Sequence, residues 1–249
     1  MFQDYQDIFN KRGDSYHLAM QEEPLARVNE FKLVLDRIQL NDGDVLCDIP
    51  SGGGYIRNFI DNDKANVIAI ETSDAFFNFC EDSETFKRHL CELTALPIEH
   101  ETVDYAVSIA GIHHVEDKHP VFCEIYRTLK SKGQFLLADV HEGSCIDDFL
   151  DSFVHENSSM GHEGMFVNDD LRADIVKAGF EIVHDQAHKY TWHFDNVDDM
   201  VRYCSLLFGI DKATPEQVLA GIEKHLGFEK RDDKVFMNWQ LSLLVCDKK

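Results

Sequence analysis

Val45-Leu-Cys-Asp-Ile-Pro-Ser-Gly-Gly-Gly-Tyr55 is the stretch of this 249-residue chain that decides the fold. Its first half is apolar and partly β-branched, which is typical of a strand buried on both faces of a parallel sheet. Gly52, Gly53 and Gly54 then allow the backbone to approach a ligand closely. Residues 55–60 place apolar side chains at helical spacing, so a helix with free N–H groups should open at the turn. The stretch predicts a strand, a ligand-binding turn and a helix.

A glycine turn alone is compatible with several ligands. A dinucleotide fold needs a third small residue in Gly-x-Gly-x-x-Gly, and counting from Gly52 and Gly54 places Arg57 there. Arginine at this position argues against a dinucleotide, and the chain has no phosphate-binding Gly-Lys-Ser/Thr loop. A purely structural turn between a strand and a helix remains an alternative at this point.

Strand and helix patterns alternate after the turn. Apolar strands are predicted at 67–70, 86–91, 103–109 and 134–139, with helices between them. This alternation predicts an α/β fold with a doubly wound, mostly parallel sheet. Glu71 closes the second strand about twenty residues after the turn, where a carboxylate can accept hydrogen bonds from both hydroxyls of a ribose.

The order of these motifs over residues 40–140 resembles the class I S-adenosylmethionine (SAM) methyltransferases, especially the small-molecule branch that includes ubiquinone and menaquinone biosynthesis enzymes. The family's first motif is an acid followed by Gly-x-Gly-x-Gly. Asp48, Gly52 and Gly54 match it, and Pro50 replaces the first glycine. The resemblance implies SAM as the cofactor, methyl transfer to a small-molecule acceptor (on O, N or C), and a seven-stranded Rossmann-like sheet ending in an antiparallel hairpin.

The resemblance also implies which residues hold the cofactor. Glu71 is expected at the ribose, and Glu92 and Leu93 at the adenine, although the family usually has an aspartate where Glu92 stands. An N-terminal segment folds over the cofactor in related enzymes, which adds Tyr16, with His17 and Arg27 as further candidates. The predicted cofactor-binding set is Asp48, Ser51, Gly52, Gly53, Gly54, Glu71, Thr72, Glu92, Leu93, Ala110 and Tyr16.

Two histidines that follow strand ends are candidates for a general base, His141 first and His113 second. A hydroxyl or protonated amine must lose a proton when it is methylated, and imidazole can accept a proton near neutral pH. Catalysis by positioning of the two substrates, without a base, is an alternative. Because His113 and His114 are adjacent, we expect at most one of them to face the site from a regular strand. No metal site is predicted, since the His-Glu pairs at 141–142 and 162–163 lack the spacing of known metal motifs.

The whole chain is predicted to form a single domain. Residues 1–40 are expected to form an N-terminal helical cap, and residues 41–194 and 235–249 the core. Residues 195–234 are predicted as a helical insertion before the last strand, acting as a lid over the acceptor.

Charge and composition limit the partners. The 46 acidic and 24 basic residues give a formal charge of −22, which repels nucleic acid and anionic membranes. Seven scattered cysteines without a Cys-x-x-Cys pair indicate reduced thiols. No apolar run is long enough to span a membrane, and the N-terminus shows no signal peptide. We therefore expect a cytoplasmic protein whose partner is a small-molecule acceptor, and leave a homodimer open.

Two other functions fit part of this pattern. One is a SAM-binding regulatory subunit without catalysis, and the other is a dinucleotide-dependent oxidoreductase. Equilibrium binding separates them, because a methyltransferase binds SAM and its demethylated product S-adenosylhomocysteine but no nicotinamide cofactor.

Overall fold

An eight-stranded mixed sheet forms the centre of the protein, in a computed structural model that describes residues 5–249. Seven strands follow the order β3-β2-β1-β4-β5-β8-β6, and β7 pairs with β8. The strands are β1 (Val45–Asp48), β2 (Asn66–Glu71), β3 (Phe86–Leu90), β4 (Val103–Ile109), β5 (Leu129–Asp139), β6 (Phe180–Phe194), β7 (Phe228–Arg231) and β8 (Lys234–Lys248).

Helices precede, connect and follow these strands. The α-helices are α1 (Tyr5–Glu22), α2 (Val28–Leu35), α3 (Asp74–Phe77), α4 (His119–Thr128), α5 (Cys145–Asp148), α6 (His155–Asn157), α7 (Asp169–Lys177), α8 (Val197–Phe208) and α9 (Pro215–His225). Two 3₁₀ turns cover Tyr55–Phe59 and Ile112–His114, and a π-helical segment, Phe149–Val154, joins α5 to α6.

The pairing of the strands confirms the predicted fold class. Strands β1 to β5 pair in parallel, whereas β8 runs antiparallel to β5, β6 and β7. Strand β7 was not predicted, so the sheet has one strand more than expected. A two-residue hairpin joins β7 to β8, with positive φ at Asp232 (51°) and Asp233 (58°). Such turns usually carry Asn-Gly or Asp-Gly, so two aspartates gave no clear hairpin signal.

The core lies on both faces of the sheet, because neighbouring strand residues point to opposite sides. In β5, Leu136 packs in the cluster that includes α2, α8 and α9, while Leu137 packs in the cluster that includes α4 and α7. Both leucines are fully buried. This two-sided burial explains why the central strands read as nearly continuous apolar runs.

The predicted lid contains α8, α9 and β7, and α8 packs against the N-terminal cap. Arg202 of α8 forms an ion pair with Glu22 of α1, with Nε and Oε2 2.6 Å apart. The Tyr203 hydroxyl lies 3.2 Å from the sulfur of Met20. The cap and the insertion therefore touch each other, although the predicted domain boundaries remain a prediction.

Two further features of the chain are its free cysteines and the character of its helices. All seven cysteines are free thiols, and Cys47, Cys80, Cys204 and Cys246 are buried. Within residues 5–249, no helix has the combination of length and apolar character needed to cross a membrane.

We expect truncation of the central β8 strand to cost far more stability than truncation of an exposed leucine. Leu243 is fully buried between β5 and β6, so Leu243→Ala should lower the free energy of unfolding by about 2–5 kcal/mol. Leu25 is 66% exposed, and Leu25→Ala should change the free energy of unfolding by less than about 0.5 kcal/mol. Urea unfolding measures both, and equal losses would contradict this description of the core.

Candidate active site

The glycine turn is fixed to the end of β2. Gly52, Gly53 and Gly54 all have positive φ (58°, 95° and 71°), a conformation that favours glycine. The backbone N–H of Ser51 donates to the carbonyl oxygen of Ile70 at 2.9 Å. The predicted helix after the turn is a five-residue 3₁₀ turn rather than an α-helix. The turn therefore holds its shape through β2, not through a long helix.

Glu71 is the carboxylate at the centre of this region, and it is 1% exposed. Its Oε1 accepts hydrogen bonds from the backbone N–H groups of Thr72 (2.9 Å) and Ser73 (3.0 Å). Its Oε2 accepts from the N–H of Gly52 (2.9 Å) and from the hydroxyl of Tyr5 (3.2 Å). Burial raises the pKa of Glu71 to about 7, although these hydrogen bonds lower it. The carboxyl therefore changes charge near neutral pH.

Helix α1 covers the glycine turn. A cavity of about 40 Å³, which we call the turn cavity, lies between Asp48, Ser51 and Gly52 on one side and α1 on the other. Tyr5, Phe9 and Tyr16 of α1 line it, and Ala110 closes its end after β4.

A second cavity of about 60 Å³, which we call the histidine cavity, adjoins the first. Four residues line both cavities: Phe9, Tyr16, Arg27 and Ala110. Aromatic and aliphatic side chains form most of its wall, and its polar groups include Arg12, His113, His114 and His162. The two cavities are therefore neighbours that share these four residues as a common wall.

His113 and His114 both line the histidine cavity, which corrects the prediction that only one of them could face the site. They are 5% and 3% exposed, and their ring centroids lie 4.2 Å apart. The reason is that they follow β4 on a 3₁₀ turn, where consecutive side chains are about 120° apart rather than on opposite sides.

Carboxylates orient two of the three histidines. His113 Nδ1 lies 2.6 Å from Oδ1 of Asp139, a fully buried residue at the end of β5. His162 Nδ1 lies 2.6 Å from Oδ1 of Asp151, which belongs to the π-helical segment. Because a carboxylate accepts, each neutral imidazole donates its Nδ1–H and keeps the lone pair on Nε2.

His114 differs from these two because its Nδ1 is buried without a hydrogen-bond partner among residues 5–249. Burial lowers the pKa of His114 well below the usual value, and protonation of His113 or His162 would lower it further. Burial also lowers the pKa of His162. Both imidazoles are therefore neutral at physiological pH.

A buried ion pair forms part of the wall between the cavities. Arg27 Nε donates to Glu30 Oε1 at 3.0 Å. The other carboxylate oxygen of Glu30 accepts from the Tyr190 hydroxyl and from Nε1 of Trp192, each at 3.0 Å. Glu30 is fully buried, and these bonds satisfy its charge. The ion pair thereby fixes Trp192 in the wall of the histidine cavity.

Arg12 brings a second cation to the histidine cavity. Its guanidinium donates to the carbonyl oxygen of Leu207 on α8 at 2.6 Å, while its Nε is buried without a partner among residues 5–249. Burial lowers the pKa of Arg12 to about 10, although Tyr16 and Asp211 raise it. Arg12 remains protonated at neutral pH, so it offers a positive charge to a ligand there.

The structure brings most of the predicted cofactor residues together. Five line the turn cavity directly: Tyr16, Asp48, Ser51, Gly52 and Ala110. Gly53 and Gly54 complete the turn, and Thr72 belongs to the hydrogen-bond system of Glu71. Burial and the nearby Glu71 charge raise the pKa of Asp48 well above its usual range.

Among the predicted residues outside the turn and its hydrogen bonds, Glu92, Leu93, His141 and the further candidate His17 line neither cavity. Glu92 is exposed, and Leu93 is buried in the core cluster that includes α4 and α7, so neither lines the turn cavity. His141 lines neither cavity, because Val140 points into the histidine cavity and the next residue along an extended chain points away. The assignment of His141 as a base is therefore not carried further.

Helix α1 supplies Tyr5, Phe9 and Arg12 to the site, none of which was predicted, beside the predicted Tyr16. Tyr5, Phe9, Arg12 and Tyr16 recur at positions i, i+4, i+7 and i+11, which places them on one face of the helix. This spacing was visible in the sequence, but Arg12 interrupts the apolar stripe and Tyr5 lies close to the chain end. Trp192 and Trp239, from β6 and β8, were likewise not predicted at the site.

Part of the chain is similar to a known family of proteins. Residues 47–137 match the family described as a methyltransferase domain. The chain is 25% identical over 194 residues to 24-methylenesterol C-methyltransferase 2 of Arabidopsis thaliana, covering 70% of this chain and 53% of that protein. It is 28% identical over 127 residues to arsenite methyltransferase of Halobacterium salinarum, covering 49% and 32%.

The solved structures support the fold. Geranyl diphosphate methyltransferase in complex with SAM aligns with a TM-score of 0.60 at 15% identity, covering 93% of this chain and 89% of that one. The curated relatives are longer, since the chain spans about half the length of the Arabidopsis enzyme and about a third of the archaeal one.

The titration of Glu71 should be visible as a pH dependence of stability. Its folded pKa of about 7 lies above the usual 4.5, so the folded state holds this proton more tightly than the unfolded chain. As pH rises from about 4.5 to 7, the parent should lose stability relative to Glu71→Gln, by up to about 1.4 kcal/mol per pH unit.

Urea unfolding at half-unit pH steps measures this difference. Glu99→Gln removes an exposed carboxyl and serves as the control, which should follow the parent. Parallel curves for the parent and Glu71→Gln would show that Glu71 does not titrate in this range.

Proposed function

We propose that this chain, which contains a class I SAM-dependent methyltransferase domain, binds SAM at the turn cavity and transfers its methyl group to a small molecule in the histidine cavity. The shared wall of the two cavities carries this proposal. Because Ala110 and Tyr16 border both, a cofactor at the turn and an acceptor beside the histidines meet at one point. Methyl transfer needs such a close, aligned approach.

The contacts of Glu71 support the cofactor assignment. Its buried carboxylate, held by the backbone of the turn, would accept hydrogen bonds from the ribose hydroxyls of SAM. The Tyr5 hydroxyl now donates to the same carboxylate. A cofactor site normally measures roughly 300–1,000 Å³, whereas the turn cavity measures about 40 Å³. SAM binding therefore requires α1 to move outward, and the ribose then replaces Tyr5 as the donor to Glu71.

The wall of the histidine cavity indicates the chemistry of the acceptor. Trp192, Trp239 and Phe208 favour an apolar or aromatic body. Arg12 favours an anionic group or a hydroxyl oxygen on the same molecule. A sterol, arsenite and geranyl diphosphate are the acceptors in the names of the relatives, and the acceptor of this chain is a separate proposal: a small, partly apolar molecule with an acidic or hydroxyl oxygen.

The reaction is a displacement at carbon. A lone pair of the acceptor forms a bond to the methyl carbon, and the carbon–sulfur bond breaks with both electrons remaining on sulfur. The products are S-adenosylhomocysteine and the methylated acceptor, which gives up a proton if its nucleophile carried one. At the polar end of the histidine cavity, Nε2 of His113, whose ring is oriented by Asp139, accepts that proton.

SAM binding should depend on the glycine turn. Gly52→Ala places a methyl group at φ +58° in the turn cavity and should weaken SAM at least about tenfold by blocking close backbone approach. Gly143→Ala is the matched control, because Gly143 also has a positive φ (77°) and open space around it but lies outside both cavities.

Isothermal titration with SAM, S-adenosylhomocysteine and NAD⁺ measures the effect. The parent and Gly143→Ala should bind the first two and not NAD⁺. No SAM binding by the folded parent would remove the proposed function. Tight SAM binding without turnover of any acceptor would favour the regulatory alternative.

Acceptor binding should change the intrinsic fluorescence of the protein. The chain has two tryptophans, Trp192 and Trp239, and both line the histidine cavity with ring centroids 4.2 Å apart. We therefore expect a bound acceptor to quench or shift tryptophan emission in the presence of S-adenosylhomocysteine, which allows acceptors to be screened without a reaction assay.

Arg12→Gln is the matched variant for this screen, because it keeps a long polar side chain but removes the charge. This variant should bind acidic acceptors at least about tenfold more weakly, since a hydrogen bond to a charged group contributes about 1.5–3 kcal/mol. Its affinity for SAM should change little. Equal affinity of the parent and Arg12→Gln for every responding compound would contradict the role given to Arg12.

A further inference from the structure

We propose that His113, His114 and His162 bind a divalent transition metal ion at the polar end of the histidine cavity. No short motif in the sequence marks this site, because its ligands come from two loops 48 residues apart. The structure brings them together, with one ligand atom of each within 4.8 Å of the others.

The spacing of the three histidines suits a metal of the size of Zn²⁺. The centre of an equilateral triangle with sides of 4.8 Å lies about 2.8 Å from each corner, whereas Zn–N bonds measure about 2.0–2.1 Å. Each ligand atom therefore needs to move inward by less than about 0.8 Å. Small side-chain rotations achieve this without a change in the backbone.

The surroundings of the histidines have the second shell that metal sites use. Metal-bound histidines usually donate their other N–H to a carboxylate, which fixes the ring and makes the ligand nitrogen more basic. His113 does so to Asp139 and His162 does so to Asp151. Asp139 is itself held by the backbone N–H of Val140 at 2.7 Å, and Asp151 by that of Gly164 at 3.1 Å.

The third histidine provides an independent observation. His114 is 3% exposed, and its Nδ1 has no hydrogen-bond partner among residues 5–249. An unpaired polar atom of this kind is costly in a folded protein, and coordination of a metal by this residue would offset that cost. Metal coordination would therefore explain the burial of His114, which packing alone does not explain.

The ligand atoms and the nearby charges indicate which metal ion would bind and which further ligand it would hold. Imidazole nitrogen suits Zn²⁺, Cu²⁺, Fe²⁺ or Ni²⁺, whereas Mg²⁺ and Ca²⁺ prefer oxygen ligands. Asp139 and Asp151 provide negative charge behind two ligands, while Arg12 and Lys118 contribute positive potential at His114. Three protein ligands leave a coordination position open, and the nearby cations favour an anionic ligand in it, such as hydroxide or an acceptor oxygen.

A catalytic role for the metal rests on the proposed methyl transfer, whereas metal binding itself does not. A metal at this position would lower the pKa of a coordinated acceptor hydroxyl and hold its oxygen beside the wall shared with the turn cavity. His113 is then a ligand to the metal rather than a base. The acceptor class narrows to molecules with an oxygen that can coordinate the metal while the apolar body contacts Trp192 and Trp239.

Metal binding can be tested on the full chain, purified without a histidine tag and stripped with a chelator. Titration with Co²⁺, followed by visible absorption, and with Zn²⁺, followed by calorimetry, should give one ion per chain. His114→Ala and His162→Ala should weaken binding by more than about tenfold, and Asp151→Asn by about 10–100-fold through the loss of orientation.

His188→Ala is the matched control. His184 and His188 form another histidine pair, with Nε2 atoms 3.2 Å apart, on β6 away from both cavities. This variant should bind the ion as the parent does. Circular dichroism and thermal melting should show that all variants are folded.

The outcomes for metal and cofactor are separable. Binding of less than one ion per chain by the parent would overturn the metal site. An affinity for the ion in His114→Ala and His162→Ala equal to that of the parent would also overturn it. SAM titration of the same samples tests the proposed function independently: SAM binding without metal binding removes only this inference, whereas metal binding without SAM removes only the methyltransferase assignment.

Discussion

The hydrogen bonds to the Glu71 carboxylate are the interaction on which the site depends. Five donors converge on it, from the glycine turn, the start of the loop after β2, and helix α1. A buried carboxylate without these donors would be strongly destabilising. The turn keeps its shape, and α1 keeps its place, because both satisfy the same buried group. A cofactor that bonds to Glu71 therefore competes with α1, so cofactor binding and movement of the cap are linked.

A second buried charge organises the wall between the cavities. Glu30 holds Arg27 on one side and the ring nitrogen of Trp192 on the other, so α2 and β6 are joined through one carboxylate. The Arg27 guanidinium also lies 5.5 Å from the centre of the Trp192 ring. This ion pair adds little to overall stability, since the attraction within a buried ion pair at best offsets the cost of its own desolvation. It mainly fixes the position of the side chains around it. Its effect is to keep the Trp192 ring in the wall of the histidine cavity.

Much of the fold could be predicted from the sequence, and the site only in part. The parallel strands were predictable because they are buried on both faces and read as apolar runs, and the glycine turn with Glu71 was predictable because its spacing reflects a backbone requirement. His114 was missed because a 3₁₀ turn, not a strand, follows β4, and the sequence does not encode that difference clearly. His141 lines neither cavity, since one residue along an extended chain reverses the direction of a side chain, and its role as a base stays a prediction. Arg12 and His162 reach the histidine cavity through tertiary packing, which no local pattern specifies.

The π-helical segment Phe149–Val154 has a consequence for how this site could arise. A π turn contains one residue more than an α turn, so it rotates everything after it by about 100° relative to a regular helix. In this register Leu150 lines the histidine cavity and Asp151 holds His162. A single inserted or deleted codon in this helix is therefore enough to add or remove the support of one histidine, while the sheet and the glycine turn stay as they are. The histidine cavity can thus change through one-residue length changes in this segment, independently of the glycine turn.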